Sequence, residues 1–157
     1  MNYGYAISLL LAAGFLTAAL PGRADNLLTT SASVRPKSIA PGGHGTLLII
    51  LSMEPDAHVQ AHKVPDPSFI PTNFAATPVH GLKLGSPIYP TAHNVTAAGI
   101  KESIYTGKAT ITVPFTVTKA AAPGPVSIGG DLTYQACNQT FCLPPKTESL
   151  SATVTVK

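Results

Sequence analysis

The sequence predicts an all-β protein, an antiparallel β-sandwich of about seven short strands joined by turns. Apolar and polar residues alternate along several segments, as expected for a strand with one buried face. Clusters of proline and glycine separate these segments, for example "APGGHG" at residues 40–45 and "AAPGP" at residues 121–125. No long segment carries the apolar stripe of an amphipathic helix.

The predicted strands differ in how strongly the pattern supports them. "ATITVPFTVT" (residues 109–118) alternates most clearly, with threonines on the polar face, and the continuously apolar "TLLIILSM" (residues 46–53) predicts a buried central strand. In chain order, the predicted strands are residues 27–34, 46–53, 57–63, 79–84, 109–118, 126–136 and 150–156. The predicted interior side chains are Ile111, Val113, Phe115, Leu132, Tyr134, Val154 and Val156. The proline-rich residues 65–90 are predicted as a long surface loop with one short strand.

The N-terminal segment predicts export. Residues 5–20 are almost wholly apolar, and small residues follow at Gly22 and Ala24, which is typical of a secretory signal peptide cleaved after Ala24. The apolar run is short for a membrane span, and an uncleaved tether is the alternative. We therefore expect a signal peptide at residues 1–24, a single domain at residues 25–157 and a periplasmic location. Disulfides form and persist in such a compartment.

Composition excludes several classes of function. The formal net charge is only +3, and lysines and arginines are scattered along the chain. This argues against nucleic acid as a partner, because nucleic-acid binding requires a basic cluster. The chain has five histidines, including His58 and His62. On a strand this spacing separates them by about 13 Å, so we expect polar surface or network histidines and no metal site.

The chain's two cysteines, Cys137 and Cys142, lie together in "YQACNQTFCLPP" (residues 134–145). As a structural crosslink this pair contributes little, because closing so short a loop stabilises by about 2 kcal/mol, against nearly 5 for a loop of about 100 residues. A purely structural hairpin disulfide in a secreted binding or structural sandwich stays open as an interpretation. The other interpretation is a redox-active disulfide near the surface, open to attack by a thiolate.

The surroundings of the cysteines support a rigid, accessible hairpin. If the preceding strand continues, Ala136 faces the core and Cys137 faces the other side. Phe141 is positioned to fold over the sulfurs, and Pro144 and Pro145 stiffen the return. No basic residue lies within the loop to lower a thiol pKa, so we do not expect a strongly oxidising pair.

The segment "YQACNQTFCLPP" resembles the signature of the N-terminal domain of DsbD, the thiol:disulfide interchange protein. Flanking segments are also similar, among them "HVQAH", "DPSFIPT" and "PGPVSIGGDLTYQAC". The resemblance covers most of residues 30–157. It implies an immunoglobulin-like sandwich whose redox disulfide, the sole redox group, passes electrons in the periplasm. It also implies a link to cytochrome c biogenesis.

The resemblance further implies partners and residue roles. Electrons would come from a DsbD-type membrane donor through a thioredoxin-like domain and go to periplasmic disulfide isomerases or thiol reductases, a protein-disulfide reductase activity. Cys142 would form the mixed disulfide with a partner, and Cys137 would be the resolving thiol. Tyr134, Gln135, Phe141, Pro144 and Pro145 would frame the site.

The sequence also departs from this family. Well-known members have five residues between the cysteines, whereas this chain has four. They also place an aromatic residue over the disulfide from a separate loop. Residues 92–103, at the corresponding position, contain none, which leaves Tyr89 or Phe141 as substitutes. The sequence ends at Lys157 without a membrane or thioredoxin-like domain, so we expect those parts on other polypeptides or a stand-alone relative.

Overall fold

A computed structural model describes residues 27–97 and 99–157 of the chain. Within these residues the chain forms twelve strands and no helix, which confirms an all-β fold of the immunoglobulin-like sandwich type. The strands are β1 Leu28–Arg35, β2 Ser38–Ile39, β3 His44–Met53, β4 His58–Gln60, β5 Asn73–Ala76, β6 Leu82–Leu84, β7 His93–Ala97, β8 Ile100–Thr106, β9 Lys108–Val117, β10 Gly124–Tyr134, β11 Ala136–Cys137 and β12 Lys146–Val156. The signal peptide predicted at residues 1–24 lies outside the described residues.

The strands form three sheets of four strands each. The first sheet has the order β1-β3-β9-β6, and the second has the order β2-β12-β10-β5. Pairing is antiparallel except between β2 and β12, which are parallel. The first two sheets form the layers of the sandwich, and the third sheet, β11-β4-β8-β7, carries Cys137.

The interior lies between the first two sheets, as the alternation in the sequence predicts. Every residue predicted as interior is at least 95% buried. From the first sheet, Leu47, Ile49 and Leu51 of the central strand β3 are fully buried. The predicted strand at residues 46–53 is therefore confirmed as a buried central strand, and the alternating apolar residues of β9 pack beside it.

The third sheet is made from strands that continue out of the sandwich. Only Gly107 separates β8 from β9, and only Gln135 separates β10 from β11. One face of this sheet joins the main core through Ala136, Val59 and Tyr105, which lie opposite one another in register. Cys137 is thus held by a strand that is rooted in the hydrophobic core.

Three parts of the strand prediction need correction. The segment predicted as a strand at residues 57–63 is a strand only over β4. Residues 65–90 carry two short strands, β5 and β6, rather than one. The β7–β8 hairpin was not predicted, because all five residues of β7 are exposed and alternation is absent there. The part of the chain that the structure describes has no helix of sufficient length and hydropathy to span a membrane.

Candidate functional site

A disulfide joins Cys137, at the end of β11, to Cys142, with their Cα atoms 4.0 Å apart. The chain folds back between them as a tight hairpin. The backbone N–H of Asn138 donates to the carbonyl of Phe141 at 2.9 Å, and that of Leu143 donates to the carbonyl of Ala136 at 2.8 Å. These bonds on either side of the disulfide hold the two cysteines opposite each other.

The side chain of Asn138 shapes the loop between the cysteines. Its Oδ1 atom accepts hydrogen bonds from the backbone N–H groups of Thr140, at 2.8 Å, and Phe141, at 2.9 Å. Asparagine is favoured in turns because its short side chain replaces a backbone acceptor in this way. The polar sequence between the cysteines therefore builds a defined turn.

The residues predicted to frame the site have different surroundings. Tyr134 is 5% exposed, and burial followed by the negative charge of Glu148 raises its pKa. The side chain of Gln135 donates to the carbonyl of Leu143 at 3.2 Å and so links the two arms of the hairpin. Pro144 and Pro145 are exposed on the return, and Phe141 is 40% exposed. The role of these five residues in framing the site for a partner stays a prediction.

The two sulfur-bearing residues differ in exposure. Cys137 is 2% exposed, whereas Cys142 is exposed. Ala136 belongs to the main core cluster, and Cys137, although buried, lies outside that cluster. The prediction that Ala136 faces the core and Cys137 the opposite side of the strand is therefore confirmed. Cys142 is therefore the more accessible residue of the pair.

A polar cluster, which the sequence did not reveal, lies on the same face of the third sheet as Cys137. His58 of β4 is paired directly with Cys137, so both side chains project from the same face. The Nε2 atom of His58 lies 4.0 Å from Oε2 of Glu102. The side-chain amide of Gln60 donates to the same Oε2 atom at 2.7 Å. We call Cys137, His58, Gln60 and Glu102 the cysteine-face cluster.

The electrostatics of this cluster follow from its burial. Burial lowers the pKa of His58 below its usual 6.5, and the carboxylate of Glu102 offsets part of that decrease. The imidazole is therefore neutral at neutral pH and has a lone pair available. The loop between the cysteines contains no basic residue. The register of β4 and β11 nevertheless places His58 beside Cys137.

Tyr89, one of the two aromatic residues considered as a cover for the disulfide, is engaged elsewhere. Its ring stacks on His62, with centroids 3.7 Å apart and planes 5° from parallel. Its hydroxyl accepts a hydrogen bond from the backbone N–H of Phe74 at 2.9 Å. Phe141, beside Cys142, is the remaining aromatic candidate, and its 40% exposure leaves much of its ring open.

The histidines do not gather with other metal-binding residues in the described ranges. No group of three or more His, Cys, Asp or Glu side chains there has a geometry that could hold a metal ion. β4 ends at Gln60, before His62, so the strand spacing predicted for the two histidines does not apply: His58 lies near Glu102, and His62 stacks on Tyr89. The chemistry this site supports is exchange at sulfur, since a thiolate attacks a disulfide wherever one sulfur is accessible.

The chain is similar to a known protein family and to solved structures. A family model described as "Thiol:disulfide interchange protein DsbD, N-terminal" matches residues 24–153. The N-terminal periplasmic domain of ScsB from Proteus mirabilis has a TM-score of 0.51 at 15% identity, covering 79% of this chain and 43% of that chain. The reduced N-terminal domain of DsbD from Neisseria meningitidis has a TM-score of 0.46 at 16% identity, covering 69% and 77%. No curated protein matches the sequence.

The structural match and the family match cover different shares of the two chains. The likeness to the ScsB domain supports the sandwich architecture, and this chain spans less than half of that protein's crystallised chain. The family match, in contrast, covers nearly all of the described residues, including both cysteines.

Proposed function

The chain belongs to the family of the N-terminal domain of thiol:disulfide interchange protein DsbD, and from this premise we propose that it relays electrons through Cys137 and Cys142. Membership of this family, together with the disulfide, supports thiol–disulfide exchange with redox partners in general. The proposal assigns the exchange to these two sulfurs and requires no cofactor other than their disulfide.

The difference in exposure between the two cysteines carries the proposal. In reduction, a partner thiolate attacks Sγ of the exposed Cys142, the bond between Cys142 and Cys137 breaks, and the electron pair leaves on Sγ of Cys137. A second thiol of the partner then attacks the partner's own sulfur and releases Cys142. Two electrons and two protons have then reached the domain, which holds two thiols.

The reverse sequence delivers the electrons. The Cys142 thiolate attacks the disulfide of an acceptor and forms a mixed disulfide, and Cys137 then attacks Sγ of Cys142 and releases the acceptor as a thiol. Cys142 is thus the sulfur that bonds to partners, and Cys137 is the resolving sulfur. Phe141, Pro144 and Pro145 are exposed beside Cys142, which supports their proposed role as contacts for docked partners.

The proposed donors are a thioredoxin-like domain and a DsbD-type membrane protein. The proposed acceptors are periplasmic disulfide isomerases or thiol reductases, including those that serve cytochrome c biogenesis. The proposed compartment is the periplasm. Two observations support it: the apolar segment at residues 5–20, and the similarity to a ScsB domain described as periplasmic.

A thiol count tests the proposal against a purely structural disulfide. The oxidised protein is mixed with reduced thioredoxin at neutral pH, quenched with acid at intervals, and its free cysteines are alkylated and counted by mass spectrometry. The relay requires reduction within minutes in the native state. If reduction occurs only after the protein is unfolded in urea, the disulfide is structural and the proposal is wrong. The Cys137→Ala/Cys142→Ala protein provides the baseline.

A further inference from the structure

We propose that His58 is the general base that removes the proton from Cys137 when this thiol resolves a mixed disulfide, and that Glu102 positions and stabilises the resulting imidazolium. This inference rests on the proposed function of the cysteine pair and adds the group that controls its proton. It follows from the cysteine-face cluster, whose members come from three neighbouring strands, β11, β4 and β8.

The need for a base follows from burial. Cys137 is 2% exposed, and a buried thiol holds its proton more tightly than a solvated one because the thiolate loses its hydration. The resolving step needs the thiolate, since the thiol is a poor nucleophile. Bulk water has little access to remove that proton. A neighbouring side chain with a free lone pair is therefore required for fast resolution at neutral pH.

The strand register supplies such a side chain. His58 lies directly opposite Cys137 across the β4–β11 pair, and directly paired side chains have Cβ atoms about 4.5–5.5 Å apart. The carboxylate of Glu102 faces Nε2 of His58 at 4.0 Å. That charge favours the tautomer with a hydrogen on Nε2, which leaves the lone pair on Nδ1 to accept the thiol proton.

The groups around His58 fit this role. His58 lies opposite Cys137 of β11 on one side and opposite the uncharged Thr106 of β8 on the other. Glu102, also on β8, is the charged group that acts on the pKa of His58. Gln60 fixes the Glu102 carboxylate by donating to Oε2 at 2.7 Å. Among the described residues, Oε1 of Gln60 is a buried acceptor without a hydrogen-bond partner.

The proposed step balances in atoms and electrons. The thiol proton of Cys137 moves to Nδ1 of His58 as Sγ of Cys137 bonds to Sγ of Cys142. The bond between Cys142 and the partner sulfur breaks, and the electron pair leaves on the partner as a thiolate. The cysteine pair is oxidised and the partner is reduced. The negative charge of Glu102 balances the charge of the imidazolium until His58 returns its proton to solvent.

A closure experiment with a defined leaving group tests the step. The reduced full-length protein is treated at pH 4 with one equivalent of methyl methanethiosulfonate, which places a methylthio group on the exposed Cys142. Closure is started by a jump to pH values between 5 and 8. It is followed by acid quenching and mass spectrometry, which detect the loss of the methylthio group.

The expected result is a change in both rate and pH profile. General bases contribute about 10²–10⁴-fold, so His58→Asn is expected to slow closure at pH 7 by about 100-fold. The wild-type rate rises with the titration of His58 below pH 6.5, whereas the variant lacks this inflection. Glu102→Gln is expected to slow closure by about tenfold. His93→Asn, at an exposed position on β7, is the matched control and closes at the wild-type rate.

Specific outcomes would overturn the inference. Closure by His58→Asn with the wild-type rate and pH profile shows that His58 is not the base. If circular dichroism shows that His58→Asn does not fold, Glu102→Gln decides, and an unchanged rate overturns the inference. A wild-type protein that closes normally but is not reduced by thioredoxin contradicts the proposed relay instead, so the two failures are distinguishable.

Discussion

The side chain of Asn138 and the backbone N–H of Phe141 are joined by a hydrogen bond of 2.9 Å across the loop that separates the two cysteines. The same Oδ1 atom also accepts from Thr140, so one asparagine fixes the turn that brings Cys142 back to Cys137. The cost of closing the disulfide depends on this turn, because a preformed loop loses less conformational entropy on closure.

Asn138→Ala is expected to weaken the disulfide. Loss of these bonds removes about 1 kcal/mol of loop stabilisation, which corresponds to an approximately fivefold lower equilibrium constant for closure. Equilibration with mixtures of reduced and oxidised glutathione, followed by alkylation and mass spectrometry, measures that constant. Gln139→Ala, at an exposed neighbouring position, is the control and is expected to match the wild type. An Asn138→Ala protein with the wild-type constant would show that the turn does not preorganise the cysteines.

Single cysteine variants are expected to differ in how they trap partners. Cys137→Ala keeps the exposed Cys142 but has no resolving thiol, so it should accumulate mixed disulfides with oxidised glutathione and with an oxidised thioredoxin-like protein. Cys142→Ala keeps only the buried Cys137 and should form at least about tenfold less. Non-reducing gels and intact-mass spectrometry measure the products. Adducts formed mainly by Cys142→Ala would reverse the assigned roles, which the shorter spacing between the cysteines makes worth testing.

The fold is expected to survive loss of the disulfide. A loop of this length contributes about 2 kcal/mol in the chain-entropy model, against a typical total stability of 5–15 kcal/mol. Urea unfolding of the oxidised protein, the dithiothreitol-reduced protein and the Cys137→Ala/Cys142→Ala protein measures the difference. The reduced wild type is the cleanest comparison, because the alanine variant also loses packing at the buried Cys137. Global unfolding on reduction would favour a structural disulfide.

Protonation of His58 is expected to destabilise the folded protein. Its folded-state pKa is lowered from 6.5 by burial, with Glu102 partly opposing the decrease, so the unfolded state binds more protons just below pH 6.5. The contribution of His58 to stability is therefore complete above pH 6.5 and is lost as the pH falls toward the lowered pKa. Urea unfolding at pH 7.5 and pH 5 should show a smaller loss of stability for His58→Asn than for the wild type. Equal losses in the two proteins would contradict this.

Residue patterns predicted the sandwich well, because its strands bury one face. The alternation in β9 and the second half of β12 places Ile111 and Val154 inside, and both are fully buried. β7 has no buried face, and β5 and β6 are too short for alternation to be recognised, so these strands were missed or misjudged.

The cysteine pair and the orientation of Cys137 also followed from the sequence, but the cysteine-face cluster did not. Alternation in residues 57–61 separates Val59, in the core, from His58 on the opposite side. The pairing of His58 with Cys137 depends on the register between β4 and β11, strands far apart in the chain. Local patterns carry no information about such a register, and only the folded arrangement brings Glu102 beside His58.

The continuity of β10 and β11 has a kinetic consequence. Tyr134 and Ala136, on either side of the linking Gln135, are both buried in the core, so the Cys137 end of the disulfide is anchored while the Cys142 end lies on an exposed return. We therefore expect reduction to leave the sandwich in place. In the proposed relay, each encounter would then join preformed surfaces, and its frequency would be set by diffusion and orientation rather than by the time needed for a domain to rearrange.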